Sequence, residues 1–93
     1  MSECCQATGQ GVYQLVGDFN KFTIPEYDRV IRAAFKKEAP TALSLNTVSS
    51  CDSAFVALLI SYKHDYPDLA LDAVPDQLTK LLALYHVAEW FVH

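Results

Sequence analysis

Residues 43–62 carry the pattern that most constrains the fold: an apolar run breaks at a short polar loop, and a second apolar run of helical length follows it. Alternation of leucine with polar residues predicts a strand over residues 41–48, and the polar stretch 49–52 predicts the turn after it. We expect a helix to begin at Ser53, because Asp52 and Ser53 are residue types that cap helix N-termini. This helix is apolar on nearly every side, so it is either deeply buried or keeps one face for another protein.

The rest of the chain predicts further strands and helices in alternation. Residues 11–17 have the β-branched and aromatic content of a first strand, and a helix with a capping box at residues 23–26 follows and ends before Pro40. A short strand is predicted over residues 68–74, and apolar residues at helical spacing predict a helix over residues 75–85. Because each connection is long enough to cross over, this order favours parallel pairing in an α/β layer.

A chain of 93 residues is short for one domain and leaves no room for a second core. We therefore expect a flexible leader over residues 1–9 and a single domain over residues 10–93. Hydrophobic residues make up 52% of the chain and charged residues only 19%, so the chain is apolar for its size. Some of that apolar surface is expected to stay outside the core, where a partner can cover it.

Charge and hydropathy exclude several classes of function. The net charge of −4 provides no basic field for nucleic acid or anionic lipid, so we expect no nucleic-acid partner. The N-terminal residues lack the pattern of a signal peptide, and no stretch reaches the roughly 18–20 apolar residues of a membrane span. We therefore expect a cytoplasmic protein that does not insert into a membrane.

Motifs for catalysis, metals and cofactors are missing from the sequence. The three cysteines and three histidines lack the CxxC or HxxxH spacing of a zinc site, so we expect no metal. No GxxxxGK[ST], GxGxxG or GxSxG motif is present, so we expect no cofactor and neither hydrolysis nor tight binding of ATP. A nucleophilic Cys51 with His64 or His86 as its base is a weaker alternative to a half-buried structural thiol, because nothing brings either imidazole within reach. We therefore expect no catalytic residues.

The Asp52-Ser53 pair has two interpretations. Either residue can be a plain N-cap, which contributes about 0.5–2 kcal/mol to stability. Alternatively, Ser53 is a phosphoacceptor or a partner contact, and an anionic phosphate would be well placed at a helix N-terminus. Residue chemistry alone leaves both interpretations open and favours the plain cap.

The order of these elements resembles the STAS domain, the fold of anti-sigma-factor antagonists. The likeness is carried by the strand end Val16-Gly17-Asp18-Phe19, the turn Ser50-Cys51-Asp52-Ser53, the apolar helix over residues 54–62, the strand over residues 69–73 and the helix over residues 77–85. The resemblance implies a single α/β domain with about four strands in a mixed β-sheet and with helices packed mainly on one face.

By that resemblance the functional hydroxyl falls on Ser53, with Asp52 as its acidic neighbour. Within the family the chain is most similar to the MlaB-type STAS subunits of Mla phospholipid-transport ABC systems, in Asp52-Ser53 with residues 57–59 and in residues 81–87. The family usually has a glycine shortly after the hydroxyl, and here the ring of Phe55 stands near the patch instead. We expect that ring to hinder a kinase more than it hinders a constitutive docking surface.

The resemblance implies two functions of different class. We favour a non-catalytic accessory subunit that binds the ATPase of an Mla-type ABC transporter at the inner membrane and supports phospholipid trafficking and outer-membrane lipid asymmetry. The alternative is an anti-sigma-factor antagonist that binds an anti-sigma factor kinase and is regulated by phosphorylation of Ser53. In both cases an apolar surface next to Ser53 is expected to face the partner. The candidate interface residues are Ser50, Cys51, Phe55, Leu59, Tyr62 and Tyr85.

Overall fold

The computed structural model describes residues 4–84 of the chain. Within that range the elements follow in the order β1 (Cys5–Gly9), β2 (Val12–Phe19), α1 (Ile24–Lys37), β3 (Ala42–Cys51), α2 (Ser53–Asp65), β4 (Ala70–Asp72) and α3 (Asp76–Leu84). The strands form one four-stranded sheet in the order β1-β2-β3-β4. The α/β class and the mixed four-stranded sheet predicted from the sequence are therefore confirmed.

The sheet is mixed because β1 is antiparallel to β2, whereas β2, β3 and β4 are parallel to one another. Helices α1 and α2 are the crossovers between these adjacent parallel strands. Such crossovers are right-handed in nearly all proteins, and two in the same direction place both helices on one face. Tyr13 and Leu15 of β2 and Leu43 and Leu45 of β3 are buried, and the Tyr13 ring contacts Phe35 of α1.

The core lies between this face of the sheet and the helices. The buried helix residues are Ile31 and Phe35 of α1, Phe55, Val56, Leu58, Leu59 and Tyr62 of α2, and Leu78 and Leu82 of α3. The Phe35 ring lies 5.2 Å from the ring centroids of both Tyr13 and Tyr62, so one side chain joins the sheet to both crossover helices. Burial of each such side chain contributes about 1.5–3 kcal/mol.

The N-terminal segment differs from the flexible leader predicted over residues 1–9. Residues 5–9 form β1, an edge strand paired with β2. Gln10 and Gly11 form the two-residue hairpin loop with φ of 56° and 79°, and two positive φ angles are typical of a type I′ turn. The leader prediction was wrong for residues 5–9 because this short strand is mostly exposed and has no apolar alternation.

The junction between β3 and α2 is tighter than predicted. β3 continues to Cys51, where the sequence predicted a turn over residues 49–52. The last residues of the strand still pair with β2, up to Phe19 opposite Cys51. Only Asp52 separates the strand from α2, which begins at Ser53 as predicted.

The capping box predicted at the start of α1 is wrong. Thr23 has a helical backbone conformation and makes no side-chain cap hydrogen bond. Its hydroxyl donates instead to the carbonyl of Asp18 at 2.7 Å and accepts from the N–H of Asn20 at 3.0 Å, so it orders the loop before the helix. The predicted helix end before Pro40 is confirmed, since α1 ends at Lys37.

Candidate partner-docking site

Three connections meet at the carboxyl end of the parallel strands. Because β2, β3 and β4 run in the same direction, the segments that follow them lie at one end of the sheet: residues 20–23, Asp52 and residues 73–75. The first two segments are in contact, since the backbone N–H of Lys21 lies 3.4 Å from Oδ2 of Asp52. In open α/β sheets, ligands bind outside the carboxyl ends of the strands. We therefore expect a functional surface at this end of the sheet.

Asp52 is the N-cap of α2. Its Oδ1 accepts from the N–H of Ala54 at 2.9 Å, and its carbonyl accepts from the N–H of Phe55 at 3.0 Å. Its Oδ2 faces the N–H of Lys21, so one carboxylate ties the β2–α1 loop to the first turn of α2. The sequence left the cap open between Asp52 and Ser53, and the hydrogen bonds assign it to Asp52.

Ser53 is the first residue of α2, and its side chain is exposed. Its hydroxyl has no hydrogen-bond partner among residues 4–84, because Asp52 does the capping. An exposed hydroxyl that makes no hydrogen bond to the rest of the domain is accessible to a modifying enzyme or to a partner. The positive end of the helix dipole also favours a phosphate at this position.

Ser50 and Cys51 lie at the end of β3 but differ in exposure. Ser50 is exposed, and its Oγ donates to Oδ1 of Asp18 on β2 at 3.0 Å. Cys51 is only 6% exposed, and its burial, with the nearby Asp52 carboxylate, raises the pKa of the thiol. The expectation that Cys51 contributes to a partner interface is therefore wrong for its side chain. A buried, protonated thiol fits a structural role rather than that of a nucleophile.

Of the two imidazoles considered as bases for Cys51, that of His64 lies at the opposite end of α2 from Cys51. His64 is in the last turn of α2, where its Nδ1 lies 3.5 Å from Asp65. His86 lies outside the described residues, as does the candidate interface residue Tyr85.

Three candidate interface residues on α2 are core residues instead. Phe55, Leu59 and Tyr62 are fully buried, so the interpretation that they face a partner is wrong. The physical reason is that α2 contacts α1 and α3 as well as the sheet, which covers most of its circumference. Its outer side carries smaller or half-buried apolar residues, among them the exposed Ala57 and the half-buried Ile60.

The β2–α1 loop adds an exposed aromatic residue that the sequence pattern did not reveal. Phe22 is 82% exposed, and Nζ of Lys21 lies 5.2 Å from the centroid of its ring, within the range of a cation–π contact. The loop is ordered by Asn20, whose Oδ1 accepts from the N–H groups of Phe22 and Thr23 at 2.9 Å and 3.1 Å. A partner that buries Phe22 would therefore lose little loop entropy on binding.

These side chains form one patch, which we call the Ser53 surface. It consists of the exposed residues Lys21, Phe22, Ser50 and Ser53 and the half-buried Asp52, whose carboxylate contacts the backbone of Lys21 and of Ala54. The patch combines an aromatic side chain, a cation, two hydroxyls and a carboxylate. Such a mixture suits contact with another protein, where aromatic anchors and polar groups act together.

A polar cluster joins α1 to α2 further along the helices. The Tyr62 hydroxyl donates to Oδ1 of Asp28 at 2.7 Å, and burial and this carboxylate raise the pKa of Tyr62. Arg32 donates to Asp28 at 2.9 Å, to Asp65 at 2.9 Å and to Ser61 at 2.8 Å. The cluster therefore fixes the relative position of the two helices on which the Ser53 surface rests.

Other kinds of site find little support within residues 4–84. No group of three or more histidine, cysteine, aspartate or glutamate residues in this range is placed to hold a metal ion. None of the helices in the described range is long and apolar enough to cross a membrane.

A groove of about 310 Å³ is lined by residues that include Pro40, Tyr66 and Leu69 with Asp65 and Asp68. Its charged side chains are acidic, so it is unsuited to a phosphate ligand.

The fold and the site define a small α/β domain that presents a solvent-facing loop surface. No model of a known protein family matches the sequence, and no curated protein matches it. Among solved structures, the Bacillus cell fate determinant SpoIIAA in its phosphorylated form is similar, with a TM-score of 0.65 and 17% identity over 95% of this chain and 86% of that chain. At this identity the likeness shows the fold alone, and the STAS fold predicted from the sequence is confirmed.

Proposed function

We propose that this protein is a non-catalytic STAS-domain regulator that binds a partner protein through the Ser53 surface. The observation that carries the proposal is the exposed hydroxyl of Ser53, which has no structural hydrogen bond within the described residues. The backbone position of Ser53 is fixed, because Asp52 caps the helix and Phe55 anchors the first turn in the core. An exposed hydroxyl on a rigid frame supports a role in recognition or modification.

Phosphorylation of Ser53 is the form of regulation that the geometry supports best. The sequence pattern suggested that Phe55 would hinder a kinase, but its ring is buried against Phe19 and does not cover Ser53. SpoIIAA, which has the same fold, was solved in a phosphorylated form. We therefore propose an anti-sigma-factor antagonist, with an anti-sigma factor kinase as its partner.

A phosphate on Ser53 would change the charge of the Ser53 surface strongly. It would add about −1.5 to −2 charges next to the carboxylate of Asp52 and near Asp18, which Ser50 contacts. The N–H groups at the start of α2 would stabilise the phosphate, whereas an acidic or apolar partner surface would be repelled or left poorly solvated. The phosphorylated protein is therefore expected to release its partner.

A second candidate function is the accessory subunit of an Mla-type ABC transporter. Its support is the sequence likeness in residues 57–59 and 81–87, and one of these residues, Ala57, is exposed one turn after Ser53 on the same side of α2. A constitutive partner could therefore contact Ser53 and Ala57 together. In this proposal the protein is cytoplasmic and reaches the inner membrane only through the ATPase.

The test uses the purified protein and two candidate partners from the same genome, an anti-sigma factor kinase and an Mla-type ATPase. With the kinase and ATP, we expect mass spectrometry to find phosphate on Ser53 and calorimetry to show weaker binding afterwards. Ser53→Ala removes the acceptor. Ser49→Ala removes an exposed hydroxyl of β3 that is not part of the Ser53 surface and is the matched control.

The outcomes separate the two candidates. Stable binding to the ATPase that Ser53→Ala weakens, without phosphorylation by the kinase, would favour the transporter subunit. Phosphate on Ser50 instead of Ser53 would contradict the proposed acceptor. Ser53→Glu places a negative charge at the acceptor position. If neither Ser53→Ala nor Ser53→Glu alters the binding of either partner, the proposed role of the Ser53 surface is contradicted.

A further inference from the structure

The last carbonyl of β3 has an unusual hydrogen-bond partner. Strand β4 pairs only with residues Ala42–Ser44 of β3, although β3 runs to Cys51. The Cys51 carbonyl therefore has no partner in β4. It accepts instead from Nε2 of Gln77 at 3.0 Å. The Gln77 side chain from α3 thus takes the place of a neighbouring strand at Cys51, the residue before Asp52 of the Ser53 surface.

The elements on both sides of this hydrogen bond are well anchored. Gln77 is in the first turn of α3, and the following residue, Leu78, is fully buried in the core. On the other side, Cys51 directly precedes Asp52, which caps α2 through the N–H of Ala54. A shift of α3 along the sheet would therefore move or release the carbonyl of Cys51, the residue directly before the N-cap of α2.

We propose that Gln77 is a positioning residue that couples α3 to the Ser53 surface by holding the Cys51 carbonyl. A regulatory role for this coupling rests on the proposed function, because the coupling affects binding only if a partner binds at Ser53. Coupling between two sites is reciprocal in binding free energy, so a partner that reorients the Asp52-Ser53 junction also changes the stability of α3. The coupling itself is a property of the protein without any partner.

The first experiment measures hydrogen exchange of backbone N–H groups by NMR in the full chain. Gln77→Met keeps the length of the side chain and removes the donor, whereas Gln77→Lys keeps a donor. Because a lost hydrogen bond of this kind changes a local equilibrium roughly fivefold, we expect exchange at Ala54 and Phe55 to accelerate about fivefold in Gln77→Met. Exchange at these positions in Gln77→Lys should stay near that of the unmodified protein.

The matched control is Gln6→Met, the same replacement on the exposed strand β1. Equal exchange at Ala54 and Phe55 in Gln77→Met and Gln6→Met would overturn the proposal. A uniform acceleration that includes the buried strand residue Leu45 would also overturn it, because that result indicates a general loss of stability.

A second measurement separates this proposal from the proposed function. We expect Gln77→Met to weaken binding of the kinase or ATPase by a similar factor of about five, and Gln77→Lys to restore it. If Ser53→Ala leaves partner binding unchanged while Gln77→Met still loosens Ala54 and Phe55, the proposed function fails and the coupling stands. If binding depends on Ser53 and exchange does not depend on Gln77, the coupling fails and the proposed function stands.

Discussion

The rings of Phe19 and Phe55 pack against each other in the core, with centroids 4.6 Å apart and both side chains fully buried. Phe19 is the last residue of β2, and Phe55 is in the first turn of α2. The pair therefore connects the two segments that carry the Ser53 surface. It also keeps the Phe55 ring in the core, so this ring does not cover the exposed hydroxyl of Ser53.

The first prediction concerns the stability provided by this aromatic pair. Phe55→Ala removes a fully buried ring and leaves a cavity, so we expect the free energy of unfolding to fall by about 3–5 kcal/mol. That is a large part of the roughly 5–15 kcal/mol of a typical domain. Urea denaturation followed by circular dichroism measures the change.

Phe22→Ala is the matched control for this prediction, because it removes the same ring from an exposed position. We expect it to alter the free energy of unfolding by no more than about 0.5 kcal/mol. Equal destabilisation by the two variants would show that Phe22 is also buried in solution, and it would then not be available to a partner.

The second prediction is that Phe22 anchors the partner. Aromatic side chains at the centre of an interface commonly lose at least about 2 kcal/mol when truncated, so Phe22→Ala should weaken binding roughly thirtyfold or more. Calorimetry with whichever of the kinase and ATPase binds the unmodified protein measures this effect. Val30→Ala, which truncates an exposed apolar residue on α1, should leave the affinity unchanged. Similar affinities for both variants would place the interface away from the β2–α1 loop.

The start of α2 illustrates what local sequence can predict. A capping aspartate and a long apolar run are local signals, and the helix Ser53–Asp65 begins at the predicted residue. The fold class also followed from the order of elements, because parallel strands with crossover helices permit few topologies. The hairpin before β2 was missed, since its only local signal was the Gln10-Gly11 turn.

The orientation of α2 could not be predicted in the same way. A helix that is apolar on nearly every side has no period that distinguishes its buried side, so Phe55 and Tyr62 were assigned to the surface. Their burial depends on α1 and α3, which pack on α2 from distant parts of the chain. Phe22 was missed for a related reason, because the loop that exposes it is held by Asn20 and by Asp52 from the next connection.

The third prediction concerns acid stability. Hydrogen bonds from Arg32 and then from His64 lower the pKa of Asp65 from its ordinary value of 3.8. A carboxyl group with a lowered folded-state pKa stabilises the protein above its unfolded-state pKa, and this contribution is lost as the pH falls through the folded-state value. We therefore expect the melting temperature of the unmodified protein to fall more steeply below about pH 4 than that of Asp65→Asn.

Asp68→Asn is the control for this experiment, since Asp68 is an exposed carboxylate in the segment after α2. It removes a nearby carboxylate and keeps the ion pair of Asp65 with Arg32, so we do not expect it to reproduce the effect of Asp65→Asn. If Asp65→Asn has the same pH dependence as the unmodified protein, the contact between Arg32 and Asp65 does not contribute to stability in solution.

The last prediction tests the position of β1, which replaced the predicted leader. Burial, and secondarily the neighbouring Cys4, raises the pKa of the Cys5 thiol from 9.0 to about 11. At about pH 8 the thiolate fraction of Cys5 is then about a hundredfold lower than in the unfolded chain. We therefore expect iodoacetamide to alkylate Cys5 about a hundredfold more slowly in the folded protein than in concentrated urea, as measured by mass spectrometry of the Cys5 peptide. Equal rates in both states would mean that residues 5–9 are not held in the sheet in solution.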